Sequence, residues 1–157
     1  IKSYVKQAGG HLSTYHEVLN STGWSSGAQT VERIAYENSI NPRLLLALLE
    51  YESRWVTGQP VDGLHTEYPM GFVDLRYKSG FMQMVWAVNQ LSIGYYGWRA
   101  GTLTELKFPD GSKLRLDPNL NAGTVAIQYL FSRNHSRSQW EQILKGRIIL
   151  EGFWPIS

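Results

Sequence analysis

The segment from Asn41 to Val56, NPRLLLALLEYESRWV, constrains the fold more than any other part of this 157-residue chain. Asn41 is a good helix N-cap, and Pro42 stands in the first helical position, where its missing N–H costs nothing. The residues that follow are apolar on almost every side, which is typical of a helix buried in a core. The sequence therefore predicts a buried central helix here.

Two carboxylates, Glu50 and Glu52, stand at the C-terminal end of this predicted helix. The helix macrodipole favours cations at that end, so an acid placed there has a raised proton affinity, as a general acid needs. The two residues differ in direction by about 200°, so only one can face a cleft squarely. The alternative interpretation is a buried helix that ends in two solvated acids.

Composition and charge limit the class of protein. Hydrophobic residues make up 43% and charged residues 18% of the chain, which indicates a folded protein, and we expect one domain over residues 1–157. The net charge is +2 without a clustered basic stripe, so we expect no nucleic-acid partner. The chain has no cysteine, which excludes disulfides, thiolate zinc sites and cysteine nucleophiles. His65 and Glu67 are too few ligands for a metal site, and we expect no cofactor.

The rest of the chain reads as helices separated by loops. We expect a helix over residues 2–20 interrupted at Gly9-Gly10, a loop over 21–27, and helices over 28–38, 85–93 and 138–145. Residues 57–79 predict a long loop, and Pro109-Asp110-Gly111 predicts the turn of a β-hairpin. We expect Phe153, Trp154 and Ile156 to pack back on the body. No membrane-spanning segment or signal peptide is visible, and the first residue, Ile1, suggests a trimmed chain.

Aromatic residues are abundant, at 13% of the chain. Tyr95, Tyr96 and Trp98 fall in residues 94–99, where Gly94 and Gly97 predict a loop. Such rings either fill a core or stack on the apolar faces of sugars, and the sequence leaves both interpretations open.

Three segments resemble the lytic transglycosylases and goose-type lysozymes. The first is the central helix, through residues that fit the catalytic-helix pattern of that family: Pro42, Leu44, Ala47, Leu48, Leu49, Glu52 and Ser53. The second is Gly80-Phe81-Met82-Gln83, and the third is Asp117-Pro118 followed by Asn119, Leu120 and Gly123. The tyrosine expected after the third segment is displaced by three residues, to Tyr129.

The resemblance implies a mainly α (α+β), lysozyme-like helical domain with a small β-hairpin insertion. It also implies an enzyme that cleaves the β-1,4 bonds between N-acetylmuramic acid and N-acetylglucosamine, with peptidoglycan glycan strands as partner. Glu52 would be the single general acid and base, with Glu50 as the alternative. The residues expected to bind substrate are Ser53, Met82, Gln83, Tyr95, Tyr96, Trp98 and Tyr129.

Other consequences of this interpretation concern product, role and location. Asp62, Glu67 and Asp74 are candidates for a second carboxylate if the reaction is hydrolytic. A non-catalytic glycan-binding or cell-wall scaffold module is the alternative function. From the proposed substrate we expect an exported monomer in the cell envelope or outside the cell.

Overall fold

The computed structural model describes residues 1–145, and the predicted packing of Phe153, Trp154 and Ile156 lies outside them. The described chain is mainly helical with two small antiparallel hairpins, so the α+β prediction is confirmed. Its elements follow in the order α1 (Lys2–Ala8), α2 (His11–Thr14), β1 (His16–Leu19), β2 (Gly23–Ser26), α3 (Gly27–Glu37), α4 (Pro42–Ser53), α5 (Gly63–Glu67), a 3-10 turn (Leu75–Tyr77), α6 (Gly80–Ala100), β3 (Glu105–Lys107), β4 (Lys113–Arg115), α7 (Ala122–Ser132) and α8 (Arg137–Lys145).

The predicted buried helix is confirmed as α4. The Asn41 side chain accepts a hydrogen bond from the Arg43 amide, and Pro42 opens the helix. Four leucines in its middle are fully buried: Leu44, Leu45, Leu48 and Leu49. Each buried leucine contributes roughly 1.5–3 kcal/mol, so burial of the apolar face dominates the stability of this helix. The helix ends where Arg54 takes a left-handed conformation, with φ of 57°.

The chain divides into two compact units, residues 1–86 and residues 87 onward. The first contains α1 to α5, the β1–β2 hairpin and the start of α6. The second contains the rest of α6, the β3–β4 hairpin, α7 and α8. None of the helices in the part of the chain that the structure describes is both long and apolar enough to cross a membrane.

The prediction of a helix over residues 2–20 is wrong beyond Thr14. The chain turns at Tyr15 and forms the β1–β2 hairpin, in which Val18 pairs with Trp24 and Leu19 with Gly23. Leu12 and Leu19 are both buried, as a helical face would bury them, but they belong to different elements. Gly23, with φ of 73°, supplies the left-handed residue that closes the turn.

In the first unit, α2 fixes the chain that leaves α4. The amides of Gly10, His11 and Leu12 donate to the carbonyl groups of Val56, Gly58 and Trp55, at 3.0, 2.8 and 2.8 Å. A Cβ atom on Gly10 would lie 2.3 Å from the Val56 carbonyl oxygen. Glycine is therefore required at position 10 by the close approach of two backbones, at a normal negative φ.

In the second unit, the predicted loop over residues 94–99 is wrong, because α6 continues through it to Ala100. A Cβ atom on Gly94 would lie 2.9 Å from the Ala126 Cα atom on α7. This glycine thus permits close helix packing and does not mark a turn. The predicted hairpin is confirmed as β3–β4, with Leu106 opposite Leu114, and the predicted last helix is confirmed as α8.

We expect Gly10→Ala to destabilise the protein by at least roughly 2 kcal/mol, because the added methyl group meets fixed backbone. Thermal or denaturant unfolding measures the loss. Gly63→Ala is the matched control, since a Cβ atom there meets no described atom within 4 Å. Equal stability of the two variants would contradict the packing of α2 against residues 55–58.

Candidate functional site

The end of α4 carries two acids in different electrostatic environments. The Glu50 carboxylate accepts hydrogen bonds from the amides of Val56 and Thr57, at 3.1 and 3.0 Å, and from the Thr57 hydroxyl. Partial burial works to raise the pKa of Glu50, but these hydrogen bonds outweigh it, and the pKa lies below its ordinary value. Glu50 is therefore an ionised structural acid that holds the chain leaving the helix.

Glu52, two residues later, is largely buried, and this burial raises its pKa to about 8. Burial also raises the pKa of Tyr51, with a smaller contribution from the charge of Glu52. At neutral pH the Glu52 carboxyl group holds its proton, so it can donate one. Two acids on one helix end thus have pKa values pushed apart, one below and one above the ordinary value of a glutamate.

Ser53 follows Glu52 but is buried, with its hydroxyl group donating to the Leu49 carbonyl at 3.0 Å. This bond lies within the helix, so the hydroxyl hydrogen is already used by the fold. A substrate-binding role for Ser53 stays a prediction.

The start of α6 ties the β1–β2 hairpin to the helix. The Gly80 amide donates to the Tyr15 hydroxyl at 3.0 Å, and the Phe81 amide donates to the Glu17 carboxylate at 2.8 Å. The Tyr15 hydroxyl in turn donates to Glu17 at 2.7 Å, and burial followed by this bond raises the Tyr15 pKa. A carboxylate at a helix N-terminus is favoured by the macrodipole. Tyr15 and Glu17 were missed from the sequence, since they have no motif and act across 64 or 65 residues.

The polar groups of the Gly80–Gln83 segment form hydrogen bonds within the protein. The Met82 amide donates to the Ser79 hydroxyl at 3.2 Å, and the Met82 side chain is half-buried. The Gln83 side chain is fully buried, and its carbonyl oxygen accepts from the amides of Met70 and Phe72, at 3.1 and 3.3 Å. Its NH₂ group donates to the carbonyl groups of Phe72 and Tyr77, both at 2.8 Å. Gln83 thus organises residues 70–77 from inside the protein.

In the second unit, the predicted sugar-binding rings lie on helices. Tyr95 and Tyr96 meet edge to face with centroids 5.0 Å apart, and Tyr96 is exposed. The Trp98 indole N–H donates to the Leu120 carbonyl at 2.9 Å, and the Arg133 guanidinium lies 4.4 Å above the Tyr129 ring. Trp98 and Tyr129 are therefore engaged in packing, and the binding roles of all four residues stay predictions.

The candidates for a second carboxylate lie in the long loop, and two of them cap short helices. Asp62 accepts from the amide of His65 at 2.8 Å and lies 2.6 Å from the His65 Nδ1 atom. The Asp74 carboxylate accepts from the side chain and amide of Arg76, which lowers its pKa to about 2. Glu67 pairs with Lys78 at 3.5 Å. All three acids are held by partners within the loop, which contains α5 and the 3-10 turn.

An exposed aromatic face on the first hairpin was also missed from the sequence. Trp24 and Val18 stand opposite each other and are 61% and 74% exposed, while the His16 ring stacks on Trp24 at 5.3 Å. The signal that could have found it is the Asn-Ser-Thr-Gly turn between two short alternating segments.

We expect Gln83→Leu to destabilise the protein by roughly 2–4 kcal/mol, because it leaves four backbone groups, one buried and three partly buried, without their partner. Hydrogen exchange of the Met70 and Phe72 amides should accelerate in parallel. Gln90→Leu, at a half-exposed position on the same helix, is the control and should change stability by less than about 0.5 kcal/mol. Unchanged exchange at both amides would rule out the organising role of Gln83.

The Glu52 carboxyl group binds its proton more tightly in the folded chain, where its pKa is about 8, than in the unfolded chain, where the ordinary pKa of 4.5 applies. Its contribution to stability is therefore complete below about pH 4.5 and is lost as pH rises toward about 8. Glu52→Gln should abolish this loss. Between about pH 5 and pH 9, the free energy of unfolding of the variant should therefore rise by up to roughly 5 kcal/mol relative to that of the unmutated protein.

The matched control for this titration is Glu50→Gln. The pKa of Glu50 is lowered, so its carboxylate stabilises the fold above its ordinary pKa, and the glutamine variant should be less stable at neutral pH. Urea unfolding across this pH range measures both effects. The same pH dependence for Glu52→Gln and the unmutated protein would contradict the burial of Glu52.

Comparison with known proteins corrects the lysozyme resemblance. Residues 1–147 match the family model described as LasA, N-terminal domain. This match covers all three segments on which the resemblance was based, so assignment to the lytic transglycosylases and goose-type lysozymes is wrong. No curated protein and no solved structure matches the chain.

The physical reason for the error lies in the local demands of the fold. Gly80 lies against the Tyr15 ring, Gln83 holds the 70–77 backbone, and the Asp117 carboxylate accepts from the Asn119 amide at 2.9 Å. Short patterns of glycine, glutamine and aspartate arise wherever a fold needs such contacts. With the match spanning α1 to α8, the chain belongs to the LasA N-terminal domain family.

Proposed function

We propose that this protein cleaves glycosidic bonds in peptidoglycan, with Glu52 as general acid and then as base. The observation that carries the proposal is the pKa of Glu52, raised to about 8 by burial at the end of α4. A carboxyl group in this state donates a proton to a leaving oxygen at neutral pH and then accepts one from the attacking group. The β-1,4 bonds between N-acetylmuramic acid and N-acetylglucosamine are the proposed substrate.

The neighbouring acids support a mechanism with one catalytic carboxyl group. Glu50 is tied to Val56 and Thr57, Asp62 and Asp74 cap short helices, and Glu67 pairs with Lys78. Most glycosidases use a second carboxylate as base or nucleophile. With Glu52 alone, the attacking group is water or the 6-hydroxyl of the muramic acid. The released fragments distinguish the two, because the first gives reducing ends and the second an anhydro ring.

A non-catalytic glycan-binding module is the second candidate. It is favoured by the exposed Trp24 ring, which His16 supports from one side, and by the burial of Ser53 and Gln83, whose polar groups serve the fold. An indole ring exposed in this way can stack on the apolar face of a sugar, as aromatic rings do in recognition surfaces.

Purified sacculi test both functions with one set of variants. Glu52→Gln should lower the rate of glycan cleavage roughly 10²- to 10⁴-fold while the variant stays folded and keeps its binding to sacculi. Glu50→Gln, the matched substitution two residues away, should lower stability but keep cleavage. In the unmutated protein the rate should fall as pH rises through about 8, because Glu52 loses its proton.

The outcomes separate the hypotheses. If Glu52→Gln keeps full activity and Glu50→Gln is folded but inactive, Glu50 and not Glu52 is the general acid. If the unmutated protein retains sacculi without cutting them, and Trp24→Ala releases them, the binding module is the correct function. If it neither cuts nor retains sacculi, both proposals fail.

A further inference from the structure

The end of the β3–β4 hairpin carries an unusual arrangement of charge. Lys107 pairs directly with Lys113 across the two strands, and both side chains are exposed. Leu106 lies on the opposite face and is fully buried, which fixes the two lysines on the outward face. Side chains directly opposite in a hairpin lie about 4.5–5.5 Å apart at Cβ, and like charges in this position are destabilising.

Two arginines add to the positive charge at the same place. The Arg133 Nη2 atom donates to the Lys107 carbonyl at 2.7 Å, and the Arg137 Nη1 atom donates to the Lys113 carbonyl at 3.2 Å. These two bonds bring the cations of Arg133, at the end of α7, and Arg137, at the start of α8, to the backbone of the paired lysines. We call Lys107, Lys113, Arg133 and Arg137 the hairpin cation patch.

The acids near the hairpin cation patch do not pair with its two lysines, although Glu141 pairs with Arg137 and Glu105 lies on the same face of β3, two residues from Lys107. Asp110 accepts from the Ser112 amide at 2.8 Å and from the Arg137 amide at 3.0 Å, and Glu141 lies 3.4 Å from the Arg137 Nε atom. Within residues 1–145, neither Lys107 nor Lys113 forms an ion pair with a carboxylate. Among the described residues, therefore, no ion pair to either lysine offsets the repulsion between them.

We infer that the hairpin cation patch is a docking surface for a linear phosphate-bearing polymer. Charge complementarity carries the inference, because an anion that bridges Lys107 and Lys113 removes the repulsion between them. Guanidinium groups have planar forks that match carboxylates, but those of the patch already donate to the backbone carbonyls of Lys107 and Lys113 and to the Glu141 carboxylate. The ammonium groups that remain act as point charges, which suit the several oxygens of a tetrahedral phosphate.

Two other anionic partners fit the surface less well. Large exposed hydrophobic side chains in the described part of the second unit lie on α6, at Ile93 and Tyr96, and not on the hairpin, so nothing there inserts into a bilayer. Phe108 and Trp140 are buried, and the Arg133 guanidinium covers one face of the half-buried Tyr129 ring at 4.4 Å, so these three rings near the patch are engaged within the fold and not offered to bases. The patch therefore fits best a polymer that is recognised by its charge alone.

Isothermal titration of the full chain with inorganic polyphosphate, at an ionic strength of about 50 mM, tests the inference. The double variant Lys107→Gln, Lys113→Gln should bind about tenfold more weakly than the unmutated protein. The matched control is Lys2→Gln, Lys6→Gln, which removes the same charge from exposed positions on α1 and should keep affinity within about twofold. Without polymer, Lys113→Gln should unfold at the same temperature or higher, because it removes repulsion.

Several results would overturn the inference. Equal weakening by the two double variants would show that net charge, and not this patch, sets the affinity. Tighter binding of poly-glutamate would make the partner a carboxylate polymer, and binding to phosphatidylglycerol vesicles without binding to polyphosphate would make it a membrane. If the double variant does not fold, the single variants Lys107→Gln and Lys113→Gln replace it. Each should weaken binding, and unchanged affinity of both would equally overturn the inference.

Discussion

The burial of α4 is the constraint on which the rest of the first unit depends. A helix that is apolar on nearly all sides has to be surrounded, and its C-terminal end then has to be satisfied inside the protein. Arg54 ends the helix in a left-handed conformation, and its amide donates to the Glu50 carbonyl at 3.0 Å. The Glu50 carboxylate then accepts hydrogen bonds from the amides of Val56 and Thr57. The amides at the start of α2 donate to the carbonyl groups of residues 55, 56 and 58.

The contrast between Glu50 and Glu52 is a direct consequence of this helix end. Both acids oppose the macrodipole, but Glu50 meets amides and a hydroxyl group that stabilise its charged form. Glu52 is turned about 200° away, into surroundings that favour the neutral form. One helix terminus thus holds an anion that fixes the backbone beside a carboxyl group that keeps its proton.

Three polar side chains, one fully buried and two half-buried, join the long loop and the first hairpin to α6. Gln83 satisfies four backbone groups of residues 70–77, while Tyr15 and Glu17 cap the helix start. A loop of this length folds in a defined way only if its backbone finds such partners. The Gly80–Gln83 pattern, on which part of the lysozyme resemblance rested, is therefore explained by hydrogen bonding within the protein.

The sequence by itself determined those features that depend on neighbours a few residues apart. These include α4 with its Asn41 cap, the turn around Gly111, the helix α8 and the presence of two acids at one helix terminus. Local rules suffice there, because capping, helical periodicity and turn geometry act within one or two turns of chain.

Only the tertiary structure decided the features that depend on contacts between distant segments. It turned residues 16–26 into a hairpin, kept α6 helical through Gly94 and Gly97, and placed Gln83 inside the protein. It also separated the proton affinities of Glu50 and Glu52. The reason is that desolvation, backbone approach and hydrogen bonding across 10 or more residues are set by packing, and a pattern of residue types along the chain does not contain them.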